Sequence, residues 1–558
     1  VTLIGWVNRK RDHGGLTFID LRDRFGLTQI VIRPERKAVM ELVPQLKQEY
    51  VITISGKVKK RPPEMVNPDL LTGEIEIEAE KLNIVNQSLL PPFVVEEDVK
   101  ALEELRLKYR YLDLRRKTML RHFITRNVVI QSVRTYLAER HFLEVETPIL
   151  AKTTPEGARD FIVPSRMEKG KFYALAQSPQ IYKQILMIAG FDRYYQFAKC
   201  LRDEDMRGNR QPEHTQIDIE MSFVSEEDIY SLTEGMIQQI FNDALGMRIE
   251  TPFLRISYAQ SMEYYGTDKP DMRIPIKIDD YTTAAQTGSF KVFNENPVIK
   301  GIKIAQTFSR SEIGNLEKIV QKAGAPGFLW LAKQDGYRGT FVKYFETLDV
   351  FNVSDGETLF LIAGENARVS TSLAELRKEL GKPFIKKNDF QCVWVTAFPL
   401  FEWDEDKHNW NATHHIFTMP QEPDIDTFSN NPGTIIGKLY DLVINGEEIA
   451  SGSIRNHQAD VQKALLKLIG LTDKQIDDRF GYLLTALQYG APPHGGIAPG
   501  IERLCMVLEG LDNIRDVIAF PKTLTGKGLL EGTPSTIEEK QLKELNLEIN
   551  KDTIKKEE

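Results

Sequence analysis

The chain has 558 residues, 41% of them hydrophobic and 27% charged, with a net charge of -8 at pH 7. That length predicts about three or four domains, each burying its own core, and the composition excludes fibrous and extensively disordered classes. No apolar stretch approaches the roughly eighteen residues of a membrane span; the best candidate, Cys392 to Phe401, is short and broken by Pro399.

The chain begins at Val1, inside a strand-like run and without an initiator Met, so a short preceding segment is expected to be missing, with any targeting signal it carried. Cys200, Cys392 and Cys505 lie far apart with no C-x-x-C spacing. This argues against a disulfide framework or a cysteine zinc site and fits a reducing cytosol, hence a cytoplasmic location.

From Val1 to about Val95, β-rich runs (Thr2 to Val7, Leu16 to Leu21, Thr28 to Ile32, Val51 to Val58, Glu74 to Leu82) alternate with turn residues. The pattern predicts a five-stranded barrel of the OB type. Residues 1 to 62 carry thirteen Lys or Arg against six Asp or Glu, enough to neutralise phosphates over a limited footprint. Such barrels bind single strands with aromatic platforms and nearby cations. Phe18 and Gln29 on neighbouring strands, with Arg9, Lys10, Arg11 and Arg24 around them, form such a set, although Phe18 alone reads more often as core than as platform. The segment Gly5 to Gly15 followed by Phe18 to Arg24 resembles the anticodon-binding barrel of class IIb aminoacyl-tRNA synthetases. By that resemblance Phe18 stacks on the central anticodon base and Gln29 bonds its edge, with Arg11 and His13 beside them. His13 also occurs in relatives that charge both aspartate and asparagine tRNAs, where others have leucine.

Glu96 to Lys117 is charged and helical in pattern, which predicts a hinge. A helix-period segment, Phe123 to Glu139, then leads into Phe142 to Pro148. Pro148 cannot donate to a ladder and belongs at an edge, a bulge or an interface. The segment resembles the first class II signature, whose proline lies at a homodimer interface.

Cys200 to Asp205, an Arg- and Gly-rich loop, and Gln216 to Met221 in strict polar and apolar alternation predict a hairpin with one buried face. An Arg on a rigid strand, Arg202, can clamp an α-phosphate, and Glu204 can orient an adenine amine. Gly495 to Leu504 brings close glycines before an apolar helix, Leu504 to Leu508, that fixes Arg503. These glycines are expected to let backbone and nucleotide approach. Asp441 and Glu448, acids near a strand end, suit the Mg²⁺ that accompanies a triphosphate.

Together these segments resemble the second and third signatures of class II synthetases. The resemblance implies an ATP site of Arg202, Asp203, Glu204, Gln211, His214, Glu448, Gly500, Ile501, Glu502 and Arg503, with metal at Asp441 and Glu448, and Arg202, Glu204 and Arg503 as the catalytic set. His214 stands where the pattern usually has a stacking phenylalanine, and Glu502 where it has aspartate; an imidazole can still stack. Class I signatures are absent from the sequence, and Gly526-Lys527-Gly528 lacks the spacing of a phosphate-binding P-loop.

Thr154 to Asp160 and Gln177 to Lys183 resemble the aspartyl enzymes of this class. There the matching residues hold the amino acid: Glu156 on a closing loop, Gln180 and Asp218 on the ammonium, Lys183 and Arg455 on the side-chain carboxylate, His414 of the His414–His415 pair as a charge-sensing contact, and Arg202 on the reacting group. Two cations left unpaired in a dry pocket are expected to reject asparagine.

Between about Asp279 and Gln391 the signatures stop, and the stretch resembles the α+β insertion of bacterial-type aspartyl enzymes. The expected organisation is an OB-fold anticodon-binding barrel at 1–95 and a hinge at 96–117. An antiparallel-sheet catalytic core follows at 118–278 and 392–530, with an insertion at 279–391 and a frayed extension at 531–558. The implied reaction ligates L-aspartate to tRNA(Asp), and by relaxed choice to tRNA(Asn), through an aspartyl-adenylate, in a homodimer. Two alternatives stay open at this point: another class IIb enzyme, for asparagine or lysine, and a non-catalytic RNA-binding protein on a dead synthetase core.

Overall fold

The computed structural model describes residues 1–154, 158–405, 408–428 and 431–550. The chain divides into two compact units, Val1–Ile124 with Arg515–Ser535, and Thr125–Ile514 with Thr536–Glu558.

In the first unit five strands, Thr2–His13, Leu16–Asp23, Gly26–Ile32, Val51–Lys60 and Ile75–Asn86, close into a barrel. The alternation places Val7, Ile19, Leu21, Ile30, Ile32, Ile52, Ile54 and Ile77 inside, where they form one core. The expected hinge is less helical than its pattern: helices Glu103–Lys108 and Arg110–Asp113 are interrupted at Tyr109. Arg110 explains why residues after 515 pack here. Its buried guanidinium donates to the carbonyls of Arg515 (2.9 Å), Ile518 (2.9 Å) and Ala519 (3.0 Å) and pairs with Asp113 at 2.6 Å.

The second unit is built on an eight-stranded sheet in the order Leu254–Ser257, Cys392–Thr396, Leu439–Ile444, Glu447–Arg455, His494–Pro499, Glu213–Ser222, Arg193–Leu201, Leu143–Glu144. Its six inner strands pair antiparallel, and the short strand at each edge is parallel to its neighbour. The predicted hairpin is Arg193–Leu201 with Glu213–Ser222. Arg202 therefore lies one residue past the strand and not on it, though its N–H still reaches Pro212 O at 2.8 Å and holds the turn in register. The helix Ile501–Glu509 follows the last glycine strand, with Leu504, Cys505 and Met506 buried.

Residues 279–364 carry a separate five-stranded antiparallel sheet. One face packs Ile302, Phe360 and Ile362 against Leu316 and Leu373 of helices Arg310–Lys322 and Asn366–Gly381. The other packs Ile299, Leu359 and Leu361 against Phe341 and Phe351. Alternate residues of the same strands thus serve two cores. After residue 535 the described chain holds only the short exposed helix Glu539–Glu544. All three cysteines are buried and none forms a disulfide.

Candidate active site

A cavity of about 800 Å³ opens on the central sheet, and Lys183, Arg202, Arg455 and Arg503 all line it. The four come from different places: the helix Gln180–Ile188, the hairpin turn, the end of strand Glu447–Arg455, and the helix Ile501–Glu509.

At the closed end two cations meet two carboxylates. Lys183 Nζ lies 2.6 Å from Asp218 Oδ1 and 3.2 Å from Glu220 Oε2. Arg455 donates to Glu220 through Nε (2.9 Å) and Nη2 (3.2 Å). Both cations are thus paired within the protein, as the cost of bare charges at this depth requires. Burial pushes the Asp218 carboxyl up. Burial pushes on Glu220 too, but Arg455 and Lys183 more than offset it and hold that carboxyl below its ordinary range. Glu220 was not among the sequence-level candidates, although the alternation of Gln216, Asp218 and Glu220 already placed it on their face. Gln180 is buried at the cavity wall and its Nε2 has no hydrogen-bond partner, so it has bonding capacity for a ligand.

The two histidines do opposite things. His415 Nε2 lies 2.7 Å from Arg455 Nη1, and burial together with Arg455 pushes it well below its ordinary pKa, so it is a neutral acceptor. His414 Nε2 lies 3.1 Å from Asp441 Oδ2; burial opposes its protonation, but Asp441 wins and raises its pKa. The histidine on the buried cation is thus His415, and His414 faces the acid.

The other end of the cavity suits a nucleotide. Arg202 is tied to Gln177 O at 3.4 Å and Glu204 pairs with Arg210 at 3.0 Å. Gln211 and His214 line the wall beside them. Burial, Arg202 and Arg503 push the His214 pKa down to about 3, so its ring is neutral and can stack. Arg503 Nη1 donates to Glu448 O at 2.8 Å and lies 3.2 Å from Glu448 Oε1. Burial would raise the Glu448 pKa, but Arg503 and Lys269 hold it at about 2.

Asp441 is not at a strand end: it sits in the middle of Leu439–Ile444, a strand buried along its whole length. Its Oδ1 makes no full hydrogen bond, although the Ser451 hydroxyl is among the groups that favour its charge. A carboxylate kept in such a strand with an unsatisfied oxygen, near enough to Glu448 on the adjoining strand to feel its charge, fits a divalent cation. Among the described residues no three His, Cys, Asp or Glu side chains form a metal cluster, so phosphates would have to complete the coordination.

Several expected contacts fall elsewhere. Asp203 turns away to the exposed Arg159, 3.6 Å distant, and does not line the cavity. The Ile501 side chain is fully buried and belongs to the helix core. Glu502 reaches the lining but is spent internally: Oε1 lies 2.9 Å from Arg126 and Oε2 accepts the Thr215 N–H at 3.0 Å. The glycines divide. A Cβ on Gly496 would stand 2.1 Å from Glu220 Oε2 and 2.1 Å from Ile219 O, so this glycine admits the neighbouring strand and its carboxylate, not a nucleotide. A Cβ on Gly500 would meet nothing closer than 3.9 Å, and this glycine does line the cavity. Glu156 lies outside the described residues. Pro148 is exposed, beside the exposed apolar residues Leu143, Ile149 and Leu150.

On the barrel, Arg11, His13, Phe18 and Gln29 share the outward face: Phe18 pairs with Arg11, His13 with Leu16, and Gln29 with Asp20. Arg11 bonds Asp20 at 2.7 Å and Gln29 bonds Glu76 at 3.1 Å. Phe18 is half-buried there, while Thr17 and Ile19 fill the interior.

Comparison with known proteins finds matches for both parts of the chain. Residues 102–524 match the family model of class II tRNA synthetases (D, K and N), and residues 1–85 match the OB-fold nucleic acid binding domain. A protein of Treponema denticola named aspartate–tRNA(Asp/Asn) ligase is 45% identical over 98% of this chain and 96% of its own length. One of the same name from Caldanaerobacter subterraneus is 47% identical over 99% of this chain and 96% of its own. An aspartate–tRNA ligase of Macrococcus caseolyticus is 44% identical over 99% and 96%. In fold, the chain is similar to asparaginyl-tRNA synthetase from Pyrococcus horikoshii solved with asparaginyl-adenylate, with a TM-score of 0.61, 20% identity and 94% of each chain covered. With two family models spanning almost its whole length and relatives at this identity, the chain belongs to the aspartate–tRNA ligase family of class II tRNA synthetases.

Proposed function

We propose that this protein joins L-aspartate to tRNA(Asp) at the expense of ATP, through an enzyme-bound aspartyl-adenylate. The observation that carries this reading is the single cavity in which the Lys183–Asp218–Glu220–Arg455 group adjoins Arg202 and Arg503. The group is balanced, two cations against two carboxylates. Aspartate can enter it by exchange: its ammonium turns to Asp218 and Gln180 while its side-chain carboxylate takes Lys183 and Arg455. Asparagine offers no charge for the cations and leaves that exchange incomplete, which costs binding.

No protein nucleophile is needed. The substrate's α-carboxylate attacks the α-phosphate in line, and the protein supplies placement and charge. Arg202 takes the α-phosphate, Glu204 the adenine amine, His214 the adenine face, and Arg503 the far phosphates. Asp441 and Glu448 would hold Mg²⁺. That ion, when bound with ATP, neutralises phosphate charge.

The outward barrel face of Arg11, His13, Phe18 and Gln29 is assigned to the anticodon. His13, and relatives named for both tRNAs, support relaxed choice that extends to tRNA(Asn). In domain terms we assign 1–95 to the anticodon barrel, 96–117 to the hinge, 118–278 and 392–530 to the catalytic core, 279–391 to the insertion and 531–558 to the extension. The exposed apolar surface around Pro148, with Phe172 and Tyr173 exposed on the strand that pairs with Leu150, supports a homodimer interface. Among the described residues no helix is long and apolar enough to cross a membrane; three buried cysteines outside any disulfide support a cytoplasmic location.

The test is aspartylation of purified tRNA(Asp) and tRNA(Asn) side by side, with aspartate-, asparagine- and lysine-dependent pyrophosphate exchange. Exchange with aspartate alone is expected, and both tRNAs charged. Exchange only with another amino acid, or none at all, would overturn the reading.

A further inference from the structure

At the nucleotide end of the cavity one cation belongs to none of the assignments above. Lys269 Nζ lies 3.0 Å from Glu448 Oε2, on the carboxylate whose other oxygen is 3.2 Å from Arg503. Lys269 comes from the loop after the helix Tyr258–Tyr265, and its side chain is only 33% exposed.

This is not a loosely waving surface lysine, because its loop is fastened from below. Arg377, buried on the helix Asn366–Gly381, donates to three loop carbonyls: Asp271 (3.0 Å), Ile274 (2.7 Å) and Ile276 (2.7 Å). Arg273 grips Asp271 in a two-point pair (2.9 and 2.6 Å), and Ser261 Oγ holds Thr267 O at 2.6 Å. A guanidinium that satisfies three backbone carbonyls fixes their spacing, so the loop presents Lys269 to the cavity from a set position.

Glu448 cannot keep two cations and also bind a divalent ion. When it turns to the metal, Arg503 loses its carboxylate partner and Lys269 keeps only Asp268, 3.7 Å away, so both have bonding capacity for another anion in a partly desolvated site. Phosphate oxygens of the nucleotide are the anion that arrives with the metal.

Resting on the ligase reading above, we propose that Lys269 is a further substrate-contacting residue that binds the β- and γ-phosphates of ATP and the pyrophosphate they become. In the activation step an oxygen of the amino-acid carboxylate forms a bond to the α-phosphorus. The bond from that phosphorus to the bridging oxygen breaks, and its electron pair leaves on pyrophosphate, where Lys269 meets the charge. The insertion, through Arg377, would then help position the leaving-group end of the site.

The test is K269Q in the full chain with Mg²⁺, assayed by aspartate-dependent pyrophosphate exchange and by single-turnover transfer from preformed aspartyl-adenylate to tRNA. Loss of one charge-assisted contact predicts KM for ATP and for pyrophosphate raised about 10- to 100-fold, with KM for aspartate and the transfer rate unchanged within about twofold. Unchanged nucleotide and pyrophosphate KM values would overturn the proposal, as would an equal fall in aspartate affinity and transfer, the mark of a packing role. In the unmutated protein, pyrophosphate with Mg²⁺ should protect Lys269 from amine-reactive labelling read by mass spectrometry; absence of protection would also overturn it. Failure of the unmutated protein to exchange with aspartate would instead refute the ligase reading.

Discussion

Replacing Lys183 with Met keeps the length of the side chain and removes its charge. In the folded protein that leaves Asp218 without its 2.6 Å partner and Glu220 with Arg455 alone. Both carboxylates are fully buried, and removing one partner of a buried pair costs about 3–5 kcal/mol. Part of this falls on folding and part on substrate binding, since an anionic substrate must then enter a pocket with net negative charge. If the larger share falls on binding, kcat/KM for aspartate drops about 10²- to 10³-fold, each 1.4 kcal/mol being about tenfold. Asparagine, with no side-chain charge to lose, should be affected less, so the preference for aspartate narrows. Pyrophosphate exchange with each amino acid measures this, alongside thermal melts to show that the variant is folded. A folded K183M that keeps its aspartate kcat/KM within about threefold would refute the charge-exchange reasoning.

Gly496→Ala places a methyl 2.1 Å from Glu220 Oε2 and should displace that carboxylate; aspartate-dependent exchange is expected to fall at least about tenfold through loss of a charge-assisted contact, with ATP binding measured by calorimetry retained. His214 has a folded pKa of about 3 against an ordinary 6.5, so between those values the unfolded chain binds the extra proton and stability falls as pH drops from about 6.5. Urea denaturation at pH 5 and pH 8 should therefore show His214→Phe losing less stability on acidification than the unmutated protein; equal losses would count against a half-buried neutral ring. Phe18→Ala on the barrel should raise KM for tRNA about 5- to 150-fold, as for loss of one stacking platform worth about 1–3 kcal/mol, and leave tRNA-independent exchange untouched.

Much of the fold was legible because the periodicities were clean. The barrel strands begin within two residues of their expected starts because each alternates around a single interior, while the first and last run on past their expected ends to His13 and Asn86. The hinge was read as more helical than it is, since charge pattern carries no information about the break at Tyr109. Within the site, the resemblance to class II signatures indicated which side chains converge but not how they are satisfied. Depth in the fold holds Lys183 and Arg455 on Asp218 and Glu220, a pairing that no local pattern announces. Glu220 was recoverable from the alternation of its strand. Lys269 was not, because nothing local marks it: its position depends on Arg377, more than a hundred residues later in the chain. Asp203 and Ile501 show the converse limit, since adjacency to Arg202 and Gly500 in sequence did not place their side chains in the cavity.

The most direct measurement is a crystal structure of the protein with a non-hydrolysable sulfamoyl analogue of aspartyl-adenylate. The side-chain carboxylate is expected within about 3.2 Å of Lys183 Nζ and of the Arg455 guanidinium, the sulfamoyl group at Arg202, and the adenine against His214. An analogue seated with its acidic side chain away from Lys183 and Arg455, or outside this cavity, would contradict the assignment of the site.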